Sequence, residues 1–158
     1  YACMELREIF PKGSDPREAM KAWHFTLGLS VFVLVWLRLG LRLLQPTPTI
    51  EPQPVAWQQF LAKVVHWVLY ALMIAMPIAG WMILSAEGET IPFYGLELPA
   101  LIAKNEDTAE WIEEIHKTAG TVGYFLIALH AGAALLHHYV LRDNTLTRIL
   151  PERTPPGR

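Results

Sequence analysis

Three long apolar runs limit what this chain of 158 residues can fold into. They cover residues 20–44, 57–84 and 111–141, and most of the charged residues lie outside them. Each run is long enough to cross a hydrocarbon core of ~30 Å, which takes ~20 helical residues. Because every backbone polar group in a bilayer needs an internal partner, each run is expected to be a helix. The sequence therefore predicts an all-α membrane protein with three transmembrane helices in one domain, 1–158.

The distribution of charge predicts which ends of these helices share a side of the membrane. The segment 85–115, which contains the loop 85–110, is acidic and has Lys104 as its single basic residue. Short cytoplasmic loops are enriched in Lys and Arg, so we expect this loop outside, and residues 45–60, which include the proline-rich link 45–54, inside together with the C-terminus. Lipid is the expected surroundings, and no nucleic-acid partner is expected. The basic residues that support this orientation are Arg38, Arg42, Lys63, Arg142, Arg148, Arg153 and Arg158.

Two histidines fourteen residues apart, His116 and His130, lie in the third run. Fourteen residues make nearly four helical turns, so the two imidazoles point the same way ~21 Å apart along the axis. An ionisable side chain within a membrane-length segment is costly unless it is satisfied, which makes it a functional candidate. The pair suggests two stacked haems. Attachment through cysteine is excluded, because Cys3 is the single cysteine and no C-x-x-C-H motif occurs.

His24 lies at the outer end of the first helix, at a depth similar to that of His116 in the third. Glycine follows each histidine by four residues, at Gly28 and Gly120, and therefore lies on the same helix face. These glycines leave space for a flat macrocycle beside each imidazole. The pattern predicts a haem b held by His24 and His116. The alternative is that the two histidines bond to carbonyl groups or to each other.

Arg38 follows His24 by fourteen residues and so lies on the same face, at roughly the depth of His130. One interpretation pairs its guanidinium with a haem propionate, because arginine binds carboxylates through two parallel hydrogen bonds. The other makes Arg38 an anchor that extends to the inner membrane interface.

The second ligand for His130 is not evident in this sequence. His66, in the second helix, is expected roughly five residues from that helix's inner end, whereas His130 is roughly ten from its own, a mismatch of several ångströms. The alternatives are a ligand in a preceding N-terminal part, or a role for His66 in a substrate site. His137 and His138 lie at the inner end of the third helix. They are either interfacial residues with hydrated tips or part of a quinone pocket, since imidazole can hydrogen-bond a quinone carbonyl and pass it a proton.

Four motifs carry a resemblance to a known family, at residues 116–124 (HKTAGTVGY), 129–131 (LHA), 137–139 (HHY) and 143–146 (DNTL). On these motifs, and over its whole length, the chain resembles the bacterial cytochrome b561 proteins, small di-haem b proteins of the cytoplasmic membrane. The resemblance implies a four-helix fold in which residues matching His24 and His116 hold the outer haem. It implies that the position of His130 and a histidine of the first helix hold the inner haem.

That first helix is absent here apart from a remnant at 1–10, and the chain begins at Tyr1 without a signal peptide. We therefore expect a fragment with one complete haem site, where the intact protein has two. His66 matches a family histidine that is usually not counted as a ligand. The resemblance also implies an inner-membrane protein with loop 85–110 in the periplasm and the C-terminus in the cytoplasm.

The predicted function is transmembrane electron transfer through b-type haems to quinone. The resemblance to superoxide oxidases implies superoxide as donor and ubiquinone as acceptor, which would make the chain an oxidoreductase or electron carrier. An anionic donor would be attracted by a basic mouth, for which Lys21 and Lys117 are candidates, although the acidic loop argues against such attraction. Two alternatives remain. One is a cytochrome b subunit that relays electrons from a dehydrogenase or hydrogenase partner to quinone, and the other is a haem-free membrane anchor or metal-binding transport component.

Overall fold

The computed structural model describes residues 2–150. In chain order its helices are α1 (Ala2–Leu6), α2 (Asp15–Leu44), α3 (Ala56–Glu87) and α4 (Glu106–Tyr139). Two short strands, β1 (Ile91–Phe93) and β2 (Leu96–Leu98), lie between α3 and α4. By length and composition α2, α3 and α4 could each cross a membrane, which confirms the three predicted spans. Tyr1, Arg153 and Arg158, which the sequence analysis used, lie outside the described residues.

The long helices begin and end at local signals in the sequence. The side chain of Asn105 accepts a hydrogen bond from the backbone N–H of Thr108 (2.8 Å) and so caps the start of α4. Helix α2 has Pro16 in its first turn, where no backbone N–H is needed. Gly88 ends α3 because it adopts a left-handed conformation with φ of 73°. Pro77 lies inside α3, which continues through it to Glu87.

The loop between α3 and α4 contains a β-hairpin that the sequence analysis did not predict. Ile91 pairs with Leu98 and Phe93 with Leu96 in antiparallel register. Both residues of the two-residue turn have positive φ, 47° at Tyr94 and 83° at Gly95, which matches the right-handed twist of the strands. Each strand has only three residues, too few for alternation of apolar and polar residues to be recognised.

Helix α3 is the centre of the bundle. It packs against α2 on one side and α4 on the other, whereas within residues 2–150 no backbone contact joins α2 to α4. Gly123 allows the close approach of α4 to α3, since a Cβ there would lie 3.3 Å from Leu72 Cδ1. The arrangement leaves a gap between α2 and α4 on one face of α3.

A small buried cluster closes the end of the bundle near the hairpin, where Leu29, Leu84 and Ile91 meet. The hairpin is tied to α2 by a hydrogen bond between Tyr94 Oη and Ser30 Oγ (3.1 Å). Most other large apolar side chains face outward, as expected where lipid is the surroundings, and Trp67 is 71% exposed in the isolated chain. The hydrophobic core of this chain is therefore small for its length.

At the opposite end, residues 46–54 form no helix or strand, as their prolines predicted. The segment that follows α4 lies against this link. The backbone N–H of Glu51 donates to Asn144 Oδ1 (2.9 Å), and Arg148 Nη1 donates to the carbonyl oxygen of Pro48 (2.8 Å). The link and the segment after α4 therefore share one end of the bundle, with loop 85–110 at the other.

Candidate functional site

A cavity of about 1000 Å³ occupies the gap between α2 and α4. This volume is at the upper end of the range for cofactor and ligand pockets. Most of its wall is apolar, with side chains such as Leu69, Leu72, Met73 and Met76 from α3. The wall also contains the predicted site residues of the three long helices: His24, Gly28, Arg38, His66, His116, Gly120 and His130.

His24 and His116 face each other across this gap. Their ring centroids are 6.1 Å apart and their planes are inclined by 74°. Two imidazoles on opposite sides of one metal ion have centroids roughly 6 Å apart, because each metal–nitrogen bond is about 2 Å long. Within the described residues no hydrogen bond joins the two rings, so the alternative of a directly bonded pair is not what the structure has.

The immediate surroundings of His116 leave one of its nitrogen atoms without a partner. The backbone carbonyl of Met76 interacts with this imidazole, but Nδ1 is buried and has no hydrogen bond. A buried polar atom without a partner destabilises a fold by about 1–3 kcal/mol. An imidazole with an unsatisfied nitrogen, facing a second imidazole across a cavity, fits a site that binds a metal-containing macrocycle.

Glycines make space around the His24 and His116 rings, but not at every position that the sequence predicted. A Cβ on Gly28 would meet nothing within 4 Å, in agreement with open space beside His24. A Cβ on Gly120 would lie 3.4 Å from Met76 Cε, so this glycine makes room for the packing of α3 against α4. The glycine that faces His116 is Gly80, whose Cβ would lie 3.6 Å from Cε1 of the ring. The sequence did not indicate Gly80 as part of the site.

His66 and His130 form a second pair, with ring centroids 5.1 Å apart. The predicted mismatch in their depths is therefore wrong. Helix α3 begins at Ala56 and α4 ends at Tyr139, so His66 lies ten residues from one inner end and His130 nine residues from the other. The predicted run already began at residue 57, nine residues before His66, so the error was in the distance assigned to His66 and not in the start of the helix. At 5.1 Å the rings are closer than two ligands on opposite sides of one metal ion would be.

Arg38 lies at this inner end of the cavity and contacts a residue that the sequence analysis missed. Its Nε donates a hydrogen bond to Tyr70 Oη (3.1 Å), and the guanidinium of Arg42 lies over the Tyr70 ring, 6.0 Å from its centroid. Tyr70 is buried, with 8% of its surface exposed. A tyrosine in an apolar run is usually a packing or interfacial residue, so its type and position gave no signal of this contact.

His137 and His138 lie outside the cavity, at the end of α4. His137 Nδ1 is 2.7 Å from Asp143 Oδ2, and His138 Nδ1 is 3.1 Å from the backbone carbonyl of Asp143. Burial raises the pKa of Asp143, but hydrogen bonds with Thr145 and His137 outweigh it, so this pKa is lowered overall. The aspartate organises both histidines, which the sequence did not predict.

The two lysines that were candidates for a basic mouth are both paired with glutamate. Lys21 Nζ is 3.0 Å from Glu89 Oε2, and Lys117 Nζ is 2.8 Å from Glu113 Oε1. Much of their positive charge is therefore compensated locally. Within residues 2–150 there is also no group of three or more His, Cys, Asp or Glu side chains placed to hold a metal ion.

Comparisons with known proteins agree on one family. A sequence model described as prokaryotic cytochrome b561 matches residues 4–152. Cytochrome b561 homolog 1 of Escherichia coli K12 is 41% identical over 153 residues, which are 97% of this chain and 87% of that protein. A probable superoxide oxidase, CybB of Yersinia pestis, is 42% identical over 97% of this chain and 86% of its own length. Cytochrome b561 homolog 2 of Escherichia coli K12 is 28% identical over 80% of this chain and 68% of its own length.

Proposed function

The chain belongs to the prokaryotic cytochrome b561 family, and on this premise we propose that it transfers electrons across the membrane from superoxide to a quinone. The family and the relatives establish the broader class, a multi-pass protein of the bacterial inner membrane that carries out electron transfer with b-type haem. The donor, the acceptor, the number of haems and the ligands are our proposals. So is the orientation, with loop 85–110 in the periplasm and the C-terminus in the cytoplasm.

The proposal rests on the short distance between the rings of His24 and His116. The two side chains come from helices whose backbones do not contact each other within residues 2–150, yet their rings are 6.1 Å apart. We assign them as the residues that would hold the iron of an outer haem. Apolar side chains make up most of the cavity wall around this site, and Gly28 leaves open space beside the His24 ligand. A bound b-type haem supplies one-electron redox chemistry at its iron, while the protein sets ligation, burial and hydrogen bonding.

His130 is assigned to an inner haem, for which the chain offers one alternative partner. His66 is close to it, but the 5.1 Å separation of the rings is short for two ligands on opposite sides of a metal ion. The family resemblance implies a histidine of a preceding helix instead. We therefore assign His66 as a neighbour of the inner site, and we assign Arg38 to a carboxylate of the cofactor because it lines the same end of the cavity.

The acceptor site is proposed at the inner end of α4. Asp143 lies 2.7 Å from Nδ1 of His137 and therefore orients this ring with Nε2 directed away from the carboxylate. An imidazole held in this way can exchange a hydrogen bond and a proton with a quinone carbonyl. His138 is assigned to the same site through its contact with the Asp143 backbone.

A second candidate function is a cytochrome b subunit that takes electrons from a redox partner protein. The ion pairs of Lys21 and Lys117 with glutamates favour it. They lower the local positive charge that would attract a small anion, while the segment 85–115 presents acidic side chains that suit a basic partner surface. In this case the outer haem would receive electrons through a protein interface.

The deciding experiment uses the purified protein with its haem, ubiquinone and an enzymatic source of superoxide. We expect b-type absorbance bands and quinone reduction that depends on superoxide. Normal haem bands without turnover, together with co-purification of a redox protein that restores quinone reduction, would support the second candidate. Absence of b-type bands in protein made with ample haem would contradict both.

A further inference from the structure

Arg38 has a positive charge that no carboxylate balances among residues 2–150. It lies within the membrane-length helix α2, six residues before that helix ends at Leu44, and it lines the cavity. A charged side chain at such a depth is costly unless something satisfies it. The missing counter-charge is therefore expected to come from whatever the cavity binds.

The contact with Tyr70 uses Nε of Arg38 and leaves its two terminal Nη groups available to bind a carboxylate. Within the described residues, the side-chain hydrogen bond of Arg38 is the one from Nε to Tyr70 Oη. The terminal Nη groups carry the fork of N–H donors that binds a carboxylate through two parallel hydrogen bonds. Tyr70 is almost fully buried, so it is a rigid support for Nε.

Tyr70 also contacts a second arginine, Arg42. Arg42 follows Arg38 by one helical turn, and two like charges at this spacing on one face repel each other. The Arg42 guanidinium lies over the Tyr70 ring, where the negative face of the aromatic ring attracts a cation. One tyrosine thus binds Arg38 through its hydroxyl and Arg42 through its ring.

We propose that Tyr70 is a positioning residue that fixes Arg38 at Nε, so that the guanidinium fork binds a carboxylate of the haem at the inner end of the cavity. This inference rests on the proposed function, since the cofactor supplies the carboxylate. A fixed positive charge beside a redox centre stabilises the state with one more electron. Tyr70 therefore raises the midpoint potential of that haem by acting through Arg38.

The test compares Tyr70→Phe with Tyr94→Phe in the intact, haem-loaded protein. Both substitutions remove one tyrosine hydroxyl that bonds to α2 at 3.1 Å, but Tyr94 is in the hairpin and outside the cavity wall. We expect Tyr70→Phe to lower the midpoint potential of one haem and to weaken haem binding by about tenfold, as for loss of a hydrogen bond to a charged group. Tyr94→Phe should change neither. Circular dichroism of each variant checks that the helices remain.

A double-mutant cycle with Arg38→Gln tests whether Tyr70 acts through Arg38. We expect Arg38→Gln alone to lower the same potential, and Tyr70→Phe to add no further change in that background. Additive effects, or equal behaviour of the two tyrosine variants, would overturn the role of Tyr70. An unchanged potential in Arg38→Gln would overturn it as well, while the haem function would stand. Absence of haem from the unsubstituted protein would instead overturn the proposed function and this inference together.

Discussion

Substitutions of Gly80 give a specific prediction, because the structure defines the distance between this residue and the proposed haem ligand His116. A Cβ at this position would lie 3.6 Å from Cε1 of His116, which is ordinary van der Waals contact. Gly80→Ala should therefore retain the outer haem, with binding weakened by less than about twofold. Gly80→Leu places further carbon atoms where the ring lies and must displace it. Metal–ligand bonds tolerate only about 0.2 Å, and overpacking alone costs about 1–3 kcal/mol.

We expect Gly80→Leu to bind the outer haem about 10–100-fold more weakly, which corresponds to that energy range. The assay is the ratio of b-type haem to protein in purified samples, with titration of haem into the depleted protein. Gly132→Leu is the matched control, since a Cβ on Gly132 meets nothing within 4 Å and this residue is outside the cavity wall. Full haem content in Gly80→Leu, or loss of haem in Gly80→Ala, would refute the placement of His116.

Three further predictions concern other parts of the molecule. The pKa of Asp143 is lowered in the fold. The ionised carboxylate therefore stabilises the fold fully above the ordinary aspartate pKa near 3.9, and this stabilisation is lost as pH falls through the lowered pKa. Thermal unfolding in detergent should show a larger loss of Tm below about pH 4 in the unsubstituted protein than in Asp143→Asn. Glu89→Gln should leave Lys21 unpaired and raise the superoxide-dependent rate at low ionic strength by about twofold or more, so an unchanged rate would count against superoxide as donor. In a chain extended by the family's first helix, His130→Ala should remove about one haem per protein while His66→Ala should remove none, and equal losses would identify His66 as a ligand.

The sequence predicted the features that depend on long stretches of chain. Length and polarity were enough to predict three helices, because a bilayer leaves few alternatives for an apolar run. The equal depth of His24 and His116 followed from helical geometry and from their distance to the polar ends. The structure places these rings 6.1 Å apart.

The features that depended on contacts between helices could not be predicted. Tyr70 faces Arg38, and Gly80 faces His116, because α3 is rotated about its axis by a particular angle relative to its neighbours. The sequence of a uniformly apolar helix does not determine that angle. The depth of His66 was misjudged by distance alone, since the predicted run began at residue 57, one residue after α3 does. The role of Asp143 was missed because it follows α4, where the chain turns back towards the helix end.

The most direct test of the central claim is the haem content and axial ligation of His24→Ala and His116→Ala. If these two residues ligate one haem, each variant should lose that same haem, and spectroscopy should no longer detect its bis-imidazole signature. Both variants should resemble each other, because removing either ligand breaks the same site. Retention of the outer haem with two imidazole ligands in either variant would contradict the assignment.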